Sequence, residues 1–356
     1  MLNQVGFALL GCGQIAKKHA QAIENISQAR LIAVCDPIIE KAQSLGEEYQ
    51  VPWFTNPHQM MEKIGNDIHV VNILTPSGYH CANLLELVTY QKHFCVEKPL
   101  ALNLKDADDM IAACEKADLH LFVVKQNRFN LPIQKLQEAI VQERLGKLVM
   151  GSAKIRWCRP QSYYDQAKWR GTWALDGGVF ANQAPHFIDL LQWLMGDVES
   201  VFAKGTSRLA KIETEDTGVA IFKFKSGALG VLEATTAARP TNAEGSLAIL
   251  GEGGIIEVGG FAVNDLRTWK FVNPQPEDEH IFQKLQQPTI PAWSHTVYLQ
   301  TVVDTITEGK NPAVDGKAGK RSLELILAIY ESMETGSEIQ VCGDYPHVRL
   351  NQPITT

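Results

Sequence analysis

An open α/β domain with a parallel sheet, followed by an α+β domain with a mostly antiparallel, open-faced sheet, is the fold class this sequence predicts, and three observations carry it. Up to about residue 125, short apolar runs alternate with helical patterns, the arrangement that builds a parallel sheet with helices on both faces. From 198 to about 272 extended segments follow one another through short turns such as Lys225-Ser226-Gly227, which builds an antiparallel sheet. A length of 356 residues exceeds one small core, so two domains are expected, 1–125 and 126–356.

The strands of the first domain fall at 5–10, 30–35, 69–74, 93–97 and 120–124, with helices near 14–26, 38–49, 77–90 and 103–117. Asn103 is placed to cap the last of these, with Asp106, Asp108 and Asp109 in its opening turns where the helix dipole favours acids. After Lys125 a helix (131–143) leads to a long strand (147–157), a loop rich in Tyr, Trp, Arg and Gly (158–178) and a helix (184–195). Extended segments follow at 198–208, 216–225, 228–236, 244–250, 254–259 and 267–272. The stretch 273–291, rich in Pro, Gln and acid, reads as an exposed connection. Two helices, 294–308 and 318–335, complete the order and could pack on either domain.

A formal charge of −7 with no basic run argues against nucleic acid and against an anionic membrane surface as partners. Seven cysteines are scattered without metal or redox spacing, so reduced thiols and no metal site are expected. The first residues show no basic and apolar leader, and no apolar run reaches about 18 residues. A cytoplasmic protein is expected.

The first strand runs directly into Gly11-Cys12-Gly13-Gln14-Ile15-Ala16, and the second, Leu31 to Cys35, ends in Asp36. Gly11 permits a tight turn and Gly13 lets the backbone approach a pyrophosphate. Gln14 and Ile15 open the helix that receives it, and Ala16 lets helix and strand pack closely. Asp36 can accept from both ribose hydroxyls and would repel a 2′-phosphate, so NAD is expected as cofactor. Thr75 and Pro76 follow the third strand on the same edge, and His80 beyond them either faces the ligand or begins the next helix.

The apolar run His93-Phe94-Cys95-Val96 stops at Glu97-Lys98-Pro99. Proline keeps the residue before it extended, which puts Lys98 at a strand tip, where ligands of open α/β sheets sit. Oxidation of an alcohol by hydride transfer needs a base for the hydroxyl proton and a charge to stabilise the developing alkoxide. Lys98 suits the second task. In Asp176-Gly177-Gly178-Val179-Phe180-Ala181-Asn182-Gln183-Ala184-Pro185-His186, a flexible Gly pair precedes Asn182 and His186, whose spacing of four points both one way on a helical turn. His186 is the candidate base and Asn182 its orienting partner.

The glycine turn, Glu97-Lys98-Pro99, Trp169-Arg170-Gly171, Gly177-Gly178 and His186-Phe187-Ile188-Asp189 together resemble the Gfo/Idh/MocA oxidoreductases over nearly the whole chain. The resemblance implies that Lys98 and His186 act beside the nicotinamide, with Asn182 standing where many members carry Asp. A narrower likeness, to the WlbA-type branch, lies in Val123-Val124-Lys125-Gln126-Asn127-Arg128, Arg159-Pro160-Gln161-Ser162-Tyr163-Tyr164-Asp165, Trp169-Arg170-Gly171-Thr172-Trp173 and Asn182-Gln183. That branch oxidises UDP-N-acetyl-glucosaminuronic acid at C3 in surface-polysaccharide sugar synthesis. It implies cofactor contacts from Glu97, Lys98, Gln126, Trp169 and Arg170. It also implies substrate contacts from Lys98, Arg128, Arg159, Tyr163, Tyr164, Arg170, Asn182 and His186, and a homodimer or homotetramer. Oxidation of inositol or another sugar, and a dinucleotide-binding sensor without turnover, are the alternatives.

Overall fold

The computed structural model describes residues 4–286 and 293–352. In chain order the elements are β1 (Val5–Leu10), α1 (Gln14–Glu24), β2 (Ala29–Cys35), α2 (Ile39–Glu48), β3 (Trp53–Phe54), α3 (Pro57–Ile64), β4 (Val70–Ile73), α4 (His80–Leu87), β5 (His93–Val96), α5 (Leu104–Lys116) and β6 (Leu121–Val123). There follow α6 (Leu131–Val141), β7 (Leu148–Arg156), α7 (Gln161–Tyr164), α8 (Val179–Asn182), α9 (Pro185–Met195), β8 (Val198–Thr206), β9 (Thr217–Phe224), β10 (Leu229–Thr235) and β11 (Glu244–Gly251). The chain then adds β12 (Gly254–Gly259), β13 (Asp265–Phe271), α10 (Asp278–Leu285), α11 (Trp293–Glu308), α12 (Gly316–Thr335) and β14 (Ile339–Gln340).

Two compact units emerge. The first comprises residues 1–126 and 292–321, the second 127–291 and 322–356. The first unit is therefore discontinuous, where the sequence suggested a second domain running unbroken from 126 to 356. Its six strands are parallel in the order β3-β2-β1-β4-β5-β6. β1 and β4 are buried at every residue, as strands covered on both faces are. Asn103 accepts from the Asp106 N–H at 2.7 Å and caps α5. α11 returns to pack on α1 and β1, and α12 begins against β6, where a Cβ on Gly319 would stand 2.6 Å from Val123.

The second unit holds an eight-stranded sheet, β13-β12-β11-β7-β10-β9-β8-β14. Every pairing is antiparallel except β7 with β10. In β9 buried and outward residues alternate; α8 packs on β9 and β10 and α9 on β7, while Phe202, Val219, Ile221 and Leu229 are exposed on the strands. The stretch read as a connection contains α10. Asp278 anchors it by accepting from Arg144 at 2.8 and 2.7 Å and from Trp269 Nε1 at 2.7 Å. Residues 287–291 of that stretch lie outside the described residues.

Candidate active site

In the first unit the sheet order reverses between β1 and β4, the point where open α/β sheets bind ligands. Gly11 has φ +101°, and a Cβ there would lie 2.8 Å from the Leu74 carbonyl, so both conformation and space require glycine. Gly13 differs: its φ is −77° and a Cβ would meet nothing within 4 Å. No packing within the chain demands glycine there, which fits a cradle left open for a phosphate. α1 has no side-chain cap and no acid in its first turn, so its leading N–H groups are presented to an anion. Gln14 is exposed and Ile15 half-buried beside them, and Ala16 is fully buried.

Asp36 is buried rather than a solvated strand end. Its Oδ2 accepts from the Cys12 N–H at 2.9 Å and its Oδ1 from the Ile38 N–H at 2.9 Å. The carboxylate thus clamps the glycine turn to β2, and each oxygen keeps a second lone pair. Thr75 and Pro76 are half-buried past β4, and the Thr75 hydroxyl donates to Asn83 Oδ1 at 2.7 Å.

His80 does not face a ligand. It is 1% exposed, with Nε2 2.9 Å from the Thr75 carbonyl and Nδ1 3.1 Å from that of Pro99. Burial pushes its pKa below the ordinary value. The imidazole braces the loop after β4 against the loop that carries Lys98.

Lys98 is half-buried two residues past β5. Its neighbour Glu97 turns inward and is 6% exposed: Oε2 accepts from the Lys98 N–H at 3.2 Å and Oε1 pairs with His19 Nε2 at 2.9 Å. A side chain so engaged is not at hand for the cofactor. Burial opposes its ionisation, but His19 and Lys98 outweigh burial and hold the carboxyl well below the usual range. His19 Nδ1 in turn lies 2.9 Å from Asn72 Nδ2. His295 of α11 packs edge-on to His19 at 5.7 Å, and burial pushes its pKa down to about 3. One donor atom from each of His19, Glu97 and His295 lies within 4.8 Å of the others; the direct His19–Glu97 contact makes this a hydrogen-bonded pair with His295 packed beside it. Gln126 ends the first segment of this unit, 9% exposed.

In the second unit Asn182 and His186 do not share a helical turn. Asn182 ends α8, and α9 starts at Pro185, whose lack of an N–H suits the first turn of a new helix. Asn182 Nδ2 donates to Asp176 Oδ1, while Asp176 Oδ2 accepts from the Gly171 N–H at 2.7 Å. His186 is half-buried in the first turn of α9. The glycine pair serves close packing, not flexibility. A Cβ on Gly178 would fall 2.3 Å from Glu215, and the Gly178 N–H donates to the Tyr330 hydroxyl at 3.0 Å. Glu215 accepts from the Phe180 N–H at 3.0 Å and from Tyr330 at 2.8 Å, and burial pushes its carboxyl up to about 7.

The arginines divide. Arg128 donates to both oxygens of buried Asp189 at 2.7 Å and stacks on Trp193 at 5.0 Å, so its fork is occupied within the fold instead of open to a substrate. Arg159 and Arg170 flank the Tyr163 ring at 5.3 and 4.2 Å, and Arg170 donates to the Tyr163 hydroxyl at 2.5 Å. Trp169 lies under the Arg170 guanidinium at 4.7 Å. Tyr164 is buried with its hydroxyl on Thr236 at 2.9 Å, and burial pushes that hydroxyl up to about 12. An open cavity of about 630 Å³ is lined by Tyr164, Lys168, Arg170, Lys211 and Glu213, among others, and by neither Asn182 nor His186.

Sequence reasoning missed His19, Asn72, Glu215 and Tyr330. Only His19 left a signal, as a polar residue at helical spacing with Ala16, Ala20 and Ile23 on the buried stripe of α1.

A parallel sheet with a glycine turn, an uncapped helix and an acidic clamp at its switch point, beside a lysine at a strand tip, defines a dinucleotide-binding oxidoreductase. The comparisons agree: the model of the oxidoreductase family's NAD-binding Rossmann fold matches residues 5–125, and that of its C-terminal alpha/beta domain matches 137–341. The chain belongs to the Gfo/Idh/MocA family and is an NAD-dependent sugar dehydrogenase. It is 38% identical to the WlbA dehydrogenase from Bordetella pertussis, solved with NADH and UDP-GlcNAcA, with TM-score 0.91 over 96% of this chain and 99% of that one. The WlbA dehydrogenase from Chromobacterium violaceum, solved with the same two molecules, is 40% identical, with TM-score 0.89 over 96% and 97%. Myo-inositol 2-dehydrogenase of Thermotoga maritima is 28% identical over 94% of this chain and 97% of its own length. Among the described residues no helix is long and apolar enough to cross a membrane.

Proposed function

We propose that this enzyme oxidises the C3 hydroxyl of UDP-N-acetyl-glucosaminuronic acid to the ketone, in surface-polysaccharide sugar synthesis. The observation that carries the reading is the 38–40% identity, over almost the full length, to two proteins solved with that sugar nucleotide. Bound NAD supplies the hydride acceptor, and Gly11, Gly13, the first turn of α1 and Asp36 hold it. His186 takes the hydroxyl proton as the C3–H bond breaks, and the Lys98 ammonium stabilises the alkoxide that develops. Asn182, fixed by Asp176, orients the sugar; an amide there positions and does not relay protons. The substrate carries about three negative charges, and Arg159 and Arg170 are the guanidinium groups of the second unit suited to meet them with charge-assisted hydrogen bonds.

Both NAD and nucleotide sugars belong to the cytoplasm, which this reading takes as the enzyme's compartment. The exposed apolar residues Phe202, Val219, Ile221 and Leu229 support a homodimer or homotetramer. The test is absorbance at the NADH band after mixing protein and NAD with UDP-GlcNAcA, with UDP-GlcNAc, or with myo-inositol. Turnover of the uronic acid far above the other two is expected. Equal rates with and without the sugar carboxylate would overturn the assignment. Turnover of inositol alone would favour the second reading, which the 28% identity to the Thermotoga enzyme supports.

A further inference from the structure

Three buried side chains of the first unit form a chain that ends on the reacting lysine. Asn72, fully buried on β4, holds Nδ2 2.9 Å from His19 Nδ1. With that amide as donor, His19 Nε2 carries the proton and donates to Glu97 Oε1 at 2.9 Å. Glu97 Oε2 then accepts the backbone N–H of Lys98 at 3.2 Å. His19 and Asn72 are 0% exposed and Glu97 6%, so water does not compete for these bonds and each costs far more to break than a surface contact. His295 closes the cluster from α11, its ring edge-on to His19, and neither of its nitrogens has a hydrogen-bond partner among the described residues.

From this arrangement we infer that His19 is a positioning residue for Lys98. It fixes the Glu97 carboxylate, and the carboxylate fixes the backbone from which the lysine projects. His19 lies on α1, the helix whose N-terminus receives the cofactor's diphosphate, so one rigid element seats the dinucleotide and sets the lysine. Two roles are separated by this geometry. Loss of the Glu97 contact disturbs Lys98 and slows the chemical step, whereas the glycine turn and Asp36, which hold the cofactor, are untouched.

The inference rests on Lys98 acting at the reacting carbon, and the experiment separates the two. Wild type, Lys98→Met, His19→Asn and His19→Gln are compared with NAD and whichever of UDP-GlcNAcA or myo-inositol the wild type oxidises, alongside thermal melting and NADH binding by fluorescence. Glutamine can bring an N–H to the place of Nε2, and asparagine is too short to do so. His19→Asn should lower kcat about 10- to 100-fold, with KM for NAD and NADH affinity within about threefold. His19→Gln should restore kcat to within about threefold of wild type. Sugar deuterated at the reacting carbon should show a larger isotope effect on kcat with His19→Asn than with wild type. If His19→Asn does not fold, Glu97→Gln, which keeps the volume and loses the charge, takes its place with the same expected fall in kcat. Normal turnover of the variant tested, or equal losses in His19→Asn and His19→Gln that track melting temperature, would overturn the positioning role. Normal turnover of Lys98→Met would overturn the lysine's own assignment first.

Discussion

Replacing Asp36 by Ala tests the cofactor site most directly, because the structure gives this carboxylate two separable tasks. Within the chain it accepts from the N–H groups of Cys12 and Ile38, each at 2.9 Å. An N–H left without its acceptor costs about 1–3 kcal/mol when buried. Ile38 is exposed and Cys12 half-buried, so water replaces part of the loss and the NAD-free protein should be destabilised by about 2 kcal/mol. At about 2–4 °C per kcal/mol for chains of a few hundred residues, its melting temperature should fall by roughly 4–8 °C. Toward the cofactor, the ribose hydroxyls lose their acceptor at a further cost of about 1–3 kcal/mol, which is about a 5- to 150-fold weaker Kd. NADP, freed from the carboxylate's repulsion, should weaken less or bind better. Melting curves without nucleotide and fluorescence titrations with NADH and NADPH read the two tasks separately. An unchanged melting temperature would remove the clamp, and an unchanged preference for NADH over NADPH would remove Asp36 from the ribose.

Arg128→Ala should strand the Asp189 carboxylate, 3% exposed, and cost about 3–5 kcal/mol of stability; a normal melting temperature with a raised KM for the sugar would return the guanidinium to the substrate. His186→Asn should lower kcat by about 100-fold or more without disturbing NADH binding, and normal turnover would make His186 a packing residue. Glu215, with its carboxyl pushed up to about 7 from an ordinary 4.5, holds a proton in the folded chain that the unfolded chain has already released. Stability should therefore fall as pH rises from about 4.5 to 7 and level off above. Glu215→Gln, neutral throughout, should gain on the wild type between pH 5 and 8 in melting temperature, and parallel curves for the two would refute the burial argument.

Strands β1, β2, β4, β5 and β6 were legible because each is a short apolar run closed by turn residues, and the glycine turn was legible because it sits between two of them. β3 was not: two residues at a sheet edge carry no period. The 273–291 stretch hid α10 because its order comes from Asp278 reaching Arg144, 134 residues away, a contact no local pattern announces. The same blindness explains Arg128, whose partner Asp189 is 61 residues on. Four-residue spacing between Asn182 and His186 misled because Pro185 opens a new helix between them. The parallel pairing of β7 with β10 joins strands far apart in sequence, where hairpin logic has no purchase. At the site, sequence reading singled out residues whose type suits a task, Lys98, His186 and Asp36, and passed over the buried side chains beneath them.

The return of residues 292–321 to the first unit has a consequence for how the chain comes into being on the ribosome. When residue 126 emerges, all six strands of the parallel sheet exist, but the cover for α1 and β1 that α11 provides has not been made. The whole of residues 127–291 is translated first, a wait of roughly 10–30 s at about 5–20 residues per second. For that interval the nascent cofactor domain shows the apolar flank that α11 later hides, a surface for chaperones. Cutting the gene after residue 126 would release that unfinished half-module and not a transplantable nucleotide-binding domain.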